Sequence, residues 1–225
     1  MSSYLLLPGA WHGAWMFDPV VATLRAAGHD AEAITLRGVG DGADPAQVTL
    51  ATHVEQVVEH LDRTGARDLV VAGHSYAGMV LTGVLARRPE GVAAAVYLDA
   101  FVPGPGQSLF ELASEQFRVH CLQSAKADGR TVRPISPDPD PRCTPHPLAC
   151  FLQADDAVPT VFSDAVRAGT RLWYAHFTGW APSPFGPVAG RLAGDPAWSV
   201  RSSDLPHNPV PHRPAALVDL LTSVV

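Results

Sequence analysis

Leu69-Val70-Val71-Ala72-Gly73-His74-Ser75-Tyr76-Ala77-Gly78-Met79 is an apolar run interrupted by one serine. The Val-rich half has the composition of a buried strand. Met79 to Arg88 then reads as a helix, rich in Ala and Leu and closed by Arg87, Arg88 and Pro89. A strand, a sharp turn with serine at its apex and a helix make the nucleophile-elbow pattern G-x-S-x-G. A serine hydroxyl is a weak nucleophile until a base touches it and the backbone holds it clear of the fold. Such a turn tolerates little bulk, which fits Gly73 two residues before Ser75 and Ala77 two after. The last motif position is alanine rather than glycine. Alone, the pentapeptide would fit a turn in any α/β protein; the flanking strand and helix favour the elbow.

Outward from this stretch the chain alternates strands and helices. Strands are expected at 3–8, 30–36, 69–73, 92–98, 171–177 and 198–201. Helices are expected from Phe17 to Ala27, Thr49 to Asp62 and Ala215 to Val224, with one of uncertain extent near 185–194. Thr52 and Glu55 suggest a capping box for the second helix. Apolar strands alternating with helices imply an α/β fold with a mostly parallel central sheet covered on both faces. Glycine-rich loops follow the first two strands, at 9–15 and 37–45. The rhythm breaks after Phe101-Val102-Pro103. Residues 104–168 read as a cap insertion within one domain spanning 1–225, with helices near Leu109–Phe117 and Ala157–Arg167. Pro134, Pro137, Pro139, Pro141, Pro145 and Pro147 lie between them, as a stiff loop in preference to a ligand for a signalling domain.

Composition narrows the function. The chain has 225 residues, 47% hydrophobic, enough for a substantial core. Its net charge of −6 is spread without blocks, so nucleic acid is not an expected partner. No apolar run approaches a membrane span, and the first residues lack the basic and apolar regions of a signal peptide. Cys121, Cys143 and Cys150 are an odd count, which suggests reduced thiols and a cytoplasmic setting. Three unevenly spaced cysteines, even with His120 and His146 nearby, suit packing better than metal binding. No metal or organic cofactor is expected. The expected partner is a small-molecule substrate, and a homodimer is left open.

Acyl-transfer chemistry needs a nucleophile, a base, an orienting acid and oxyanion donors. Ser75 is the nucleophile. The base is expected in the loop after the last strand, where His207 stands; His212 is a lesser alternative nearer the following helix. His74, beside the nucleophile, is expected to point away from it in a structural role. The loop after the penultimate strand, His176-Phe177-Thr178-Gly179-Trp180-Ala181, holds no carboxylate. Asp99, at the end of the strand after the elbow helix, is therefore the candidate acid, ahead of a role capping the Pro/Gly turn. Asp204 is a lesser candidate. The N–H groups of Ala10 and Tyr76 are the expected oxyanion donors. Gly9, Trp11, Phe101 and Phe110 are the expected pocket residues, and Trp15 is assigned to the core.

Three segments carry a resemblance: Pro8 to Trp15, Gly73 to Val80 and Tyr97 to Pro103. The chain resembles small α/β-hydrolases of the group with hydroxynitrile lyases, salicylate-binding-type methylesterases and bacterial pyrethroid-hydrolase-like esterases. The likeness covers most of residues 4–110 and resumes at 197–225. It implies the order serine, acid, histidine, an acid drawn in some members from the strand that ends at Asp99, and no cofactor. The lyases of the group place a hydroxyl where Gly9 stands and a lysine where Asn208 follows His207, so the implied activity is ester hydrolysis. The expected substrate is a small apolar ester, lactone or thioester, of a kind met in secondary metabolism. A lyase or cyclase that uses Ser75 and His207 for proton transfer is the alternative, and a ligand-binding receptor is a more distant one.

Overall fold

The computed structural model describes residues 1–65, 67–135, 139–154 and 160–224. Eight strands and nine α-helices are found there. The strands are β1 (Ser3–Leu7), β2 (Asp30–Ala33), β3 (Leu69–His74), β4 (Val92–Leu98), β5 (Thr131–Val132), β6 (His146–Pro147), β7 (Arg171–Phe177) and β8 (Trp198–Ser203). The helices are α1 (Asp18–Ala26), α2 (Leu50–Thr64), α3 (Ala77–Arg87), α4 (Leu109–Leu112), α5 (Glu115–Asp128), α6 (Ala149–Leu152), α7 (Val161–Arg167), α8 (Gly186–Ala193) and α9 (Pro214–Thr222).

Six strands form one sheet in the order β2-β1-β3-β4-β7-β8, and all of their pairings are parallel. Strand side chains alternate between two cores, as the period of 2 requires. Leu5, Leu7, Val71, Ala95 and Tyr97 face the core that includes α2 and α3. Tyr4, Leu6, Val70, Ala72, Val96 and Leu98 face the core that includes α1 and α9. The helix-covered parallel sheet is therefore as its apolar runs imply. β3 and β4 lie in the middle and place their C-terminal ends, Ser75 and Asp99, side by side.

Several local expectations need correction. β2 stops at Ala33, and α1 follows a short 3-10 turn at Ala14–Phe17. The capping box of α2 is Thr49 with Thr52, not Thr52 with Glu55. The helix starts one residue later than expected and runs to Thr64, so Glu55 lies inside it. The single stretch at 109–117 is two helices. Ser108 caps α4 through a box with Glu111, and Ser114 starts α5 by accepting the Phe117 N–H. α7 begins at Val161; residues 157–159 of the expected helix lie outside the described residues, as does Pro137. The antiparallel pair β5–β6 within the segment between β4 and β7 had no sequence signal.

Candidate active site

The elbow is built by close backbone approach. Ser75 has φ of 53°, in the left-handed region, and its N–H donates to Leu98 C=O at 3.2 Å. Phe101 and Gly78 N–H both donate to Ser75 C=O at 3.1 Å. The closest contact is at Gly78, where a Cβ would stand 2.1 Å from Phe101 C=O. At Gly73 it would stand 2.8 Å from Ala77 C=O. The essential small residues are thus 73 and 78, which explains why alanine is tolerated at 77.

Ser75, His207 and Asp99 converge. His207 Nε2 is 3.2 Å from Ser75 Oγ, and His207 Nδ1 is 2.8 Å from Asp99 Oδ2. A carboxylate can only accept, so Nδ1 carries the proton and Nε2 offers its lone pair to the serine hydroxyl. Asp99 is fully buried and has φ of 44°. Its Oδ2 also accepts the Trp180 indole N–H at 2.9 Å, and its Oδ1 accepts the Phe177 N–H at 3.1 Å. The loop after β7 thus holds no acid yet supplies donors to the acid that β4 provides. Asp204 pairs instead with Arg213 at 2.8 Å, exposed to solvent. The His207 ring is stacked on Phe185 and lies 4.7 Å from the rings of both Trp180 and His74. His74, expected in a structural role beside the nucleophile, packs on the His207 ring.

Ala10 and Tyr76 flank the serine, and their N–H groups have no hydrogen-bond partner among the described residues. Each is braced from behind. His53 Nε2–H donates to Arg37 C=O at 2.7 Å, so its Nδ1 accepts the Tyr76 hydroxyl at 2.8 Å. Burial drives the His53 pKa down to about 4, which keeps that acceptor available. His12 Nδ1–H donates to Ala10 C=O at 2.7 Å. Trp11, at φ 69°, is tied to the 131–146 segment three times. Its indole N–H donates to Val132 C=O, its C=O accepts from Thr144 N–H, and its N–H donates to His146 Nδ1.

His53, His146 and Cys150 each bring a potential metal ligand within 4.8 Å of the others. Most of their polar atoms are already engaged, however: both nitrogens of His53 as above, His146 Nδ1 by Trp11 and the Cys150 thiol by Val48 C=O at 3.8 Å, while the buried His146 Nε2 has no partner among the described residues. Burial also pushes the Cys150 thiol up to about 12. The cluster suits bracing of Tyr76 and Trp11 better than it suits an ion.

A cavity of about 780 Å³ opens over Ser75 and His207. Gly9, Trp11 and Phe101 line it as expected, joined by Phe117, Trp180 and Phe185. Phe110 is not among its lining residues; α4 turns that side chain against the core. Trp15 packs against the core as expected and also lines the cavity, and the Arg142 guanidinium lies over its ring at 4.1 Å.

The sequence matches the family model described as "Alpha/beta hydrolase family" over residues 4–223. The chain belongs to the alpha/beta hydrolase family. It is 33% identical to a carbendazim hydrolyzing esterase of Nocardioides sp. (strain SG-4G), with the whole of both chains covered. It is 38% identical over 112 residues to Esterase PIR7B of Oryza sativa subsp. japonica, which covers 47% of this chain and 41% of that one. Salicylic acid-binding protein 2 of Nicotiana tabacum is 32% identical over 44% of this chain and 40% of its own. Solved folds agree. An extracellular alpha/beta-hydrolase from a Paenibacillus species superimposes with a TM-score of 0.84 at 20% identity, covering 99% of this chain and 98% of that one. A pyrethroid hydrolase of Sphingobium faniae JZ-2 gives 0.76 at 21% identity, covering 99% and 96%. This alpha/beta hydrolase is thus an esterase-type enzyme.

Two contributors to this hydrolase site were missed in the sequence. Trp180 reaches Asp99 from 81 residues away, and His53 reaches Tyr76 across α2. Both pairings are purely tertiary. The only hint was a polar His within the apolar face of α2.

Proposed function

We propose that this enzyme cleaves a small, largely apolar ester, lactone or thioester through Ser75, His207 and Asp99 by way of an acyl-enzyme. The observation that carries the reading is the continuous run Asp99 Oδ2, His207 Nδ1, His207 Nε2, Ser75 Oγ, at 2.8 and 3.2 Å. His207 Nε2 takes the Ser75 proton as Oγ attacks the carbonyl carbon. The negative charge that develops on oxygen is met by the N–H groups of Ala10 and Tyr76, which have no other partner among the described residues. His207 then gives its proton to the leaving oxygen, or to the leaving sulfur of a thioester. Water repeats the sequence in reverse roles and releases the acid. Asp99 keeps His207 in the Nδ1–H tautomer and stabilises its protonated form. Its own alignment comes from Trp180 and Phe177.

The aromatic lining suits an apolar or ring-containing substrate. The similarity to a carbendazim hydrolyzing esterase adds carbamate esters to the classes worth assaying. Residues 104–168 act as a cap on one domain and shape that cavity, since Phe117, Asp140 and Arg142 all line it. The bare Cα at Gly9 and the asparagine at 208 favour hydrolysis over cyanohydrin cleavage.

A fluorophosphonate probe tests the reading directly. Mass spectrometry is expected to find one adduct, on Ser75, absent from Ser75→Ala, together with turnover of short p-nitrophenyl esters. An unlabelled Ser75 with no ester turnover would sink the hydrolase reading and favour proton-transfer chemistry by the same pair.

A further inference from the structure

The loop that carries His207 has little means of fixing itself. Leu205-Pro206-His207-Asn208-Pro209-Val210-Pro211 contains three prolines, and proline has no N–H to give. Its main chain is held through its carbonyls instead. Gly179 N–H donates to Leu205 C=O at 2.9 Å, and Arg213 and His212 N–H donate to Pro209 C=O at 2.7 and 3.1 Å. Between these anchors, His207 C=O accepts from a side chain: His74 Nε2 at 2.7 Å.

His74 is the last residue of β3, immediately before Ser75. A carbonyl only accepts, so the His74 proton sits on Nε2 and Nδ1 is a bare lone pair. That nitrogen is buried and has no partner among the described residues. Burial holds the ring neutral, with its pKa well below the usual histidine range. On its far side the ring abuts Gly9. A Cβ there would stand 2.8 Å from His74 Nδ1 and 3.1 Å from Ser75 Cβ. One stiff, central strand therefore carries both the nucleophile and the anchor of the base.

We propose that His74 is a positioning residue. Its Nε2–H ties the main chain of His207 to the strand that bears Ser75 and so sets the serine–histidine distance. Glycine at position 9 is required by the same ring. The inference deepens the reading of Ser75 and His207 as a reacting pair and rests on it for its kinetic consequence alone. Geometry of this kind matters because a misplacement of about 1 Å can cost roughly a hundredfold in rate.

The test compares His74→Phe, which keeps a ring and loses the donor, with His74→Gln, which keeps a donor and loses the ring. Two quantities are read. One is kcat and KM for a p-nitrophenyl ester. The other is the low-field NMR resonance of the His207 Nδ1 proton, assigned by its loss in His207→Gln. In His74→Phe, kcat is expected to fall by about 10- to 100-fold, KM to stay within about twofold, and the resonance to broaden by faster exchange. His74→Gln is expected to restore most of kcat and the resonance. Gly9→Ala is expected to be damaging in the native background and much less so beside His74→Ala, a non-additive pair. Unchanged kcat and an unchanged resonance in His74→Phe would overturn the proposal. Should that variant not fold, His74→Met against His74→Gln carries the same contrast, and equality between them overturns it. A native protein that turns over no ester removes the hydrolase reading only; the resonance contrast then decides the role of His74 by itself.

Discussion

Among single residues, Asp99 is where expectation and structure inform each other most. The absence of a carboxylate after β7 left Asp99 and Asp204 as candidates, and only Asp99 touches His207. Asp204 spends its charge on Arg213 at the surface. Asp99→Asn is expected to lower kcat by roughly 10²–10⁴-fold, because an amide favours the wrong imidazole tautomer. Asp204→Asn is expected to leave kcat within about twofold, since exposed ion pairs contribute little. Steady-state assays of the two variants check this; the reverse ranking would transfer the orienting role to Asp204. Trp180 shows why the site was only partly legible. A tryptophan in a loop has many uses, and nothing local in Gly179-Trp180-Ala181 indicates that its indole N–H reaches a carboxylate from another strand.

At the scale of elements, the central strands and the elbow were legible because burial is complete along β3 and nearly so along β4. β3 and β4 are bounded by the apolar runs that announce them. Helix starts were less legible, since Ser, Thr and Asp offer caps at several neighbouring positions and tertiary packing selects one. The elbow also teaches a positional lesson. G-x-S-x-G draws attention to residue 77, whereas the backbone just after β4, at Phe101, crowds residue 78. Gly78→Ala is expected to destabilise by about 1–3 kcal/mol through overpacking and to lower the rate of Ser75 labelling. Ala77→Gly, at the first turn of α3, is expected to cost about 1 kcal/mol at most. Urea unfolding with parallel probe kinetics distinguishes them; equal stability losses would mean that the Phe101 carbonyl moves aside freely.

For the whole molecule, buried neutral histidines couple stability to pH. His53, His74 and His146 all have pKa values depressed by burial, His53 to about 4 and the others well below the usual value. In the unfolded chain each would titrate near about 6.5. Below that pH the unfolded state binds more protons than the folded one, so stability falls as pH falls. The contribution is complete above about 6.5 and is lost at up to about 1.4 kcal/mol per pH unit for each group. For His53 the loss ends near pH 4. Asp128 and Asp140, held down to about 2 by hydrogen bonds and exposed, act only below this window. Urea midpoints are therefore expected to stay level from about pH 8 to about pH 7 and to drop from there to about pH 5, and a flat profile across the whole range would contradict the neutral assignment of these rings.

The least legible region was the segment between β4 and β7, where proline and short elements leave no periodicity to read. Its three ties to Trp11 bear on how the enzyme can be rebuilt. A lid that only covered a pocket could be exchanged between relatives as a selectivity module. Here Val132, Thr144 and His146 hold the residue next to Ala10. A chimera that grafts another lid onto this sheet would therefore also change the loop that carries Ala10, the proposed oxyanion donor. Lid swaps in this scaffold are expected to alter turnover together with substrate preference, unless positions 9–12 travel with the graft.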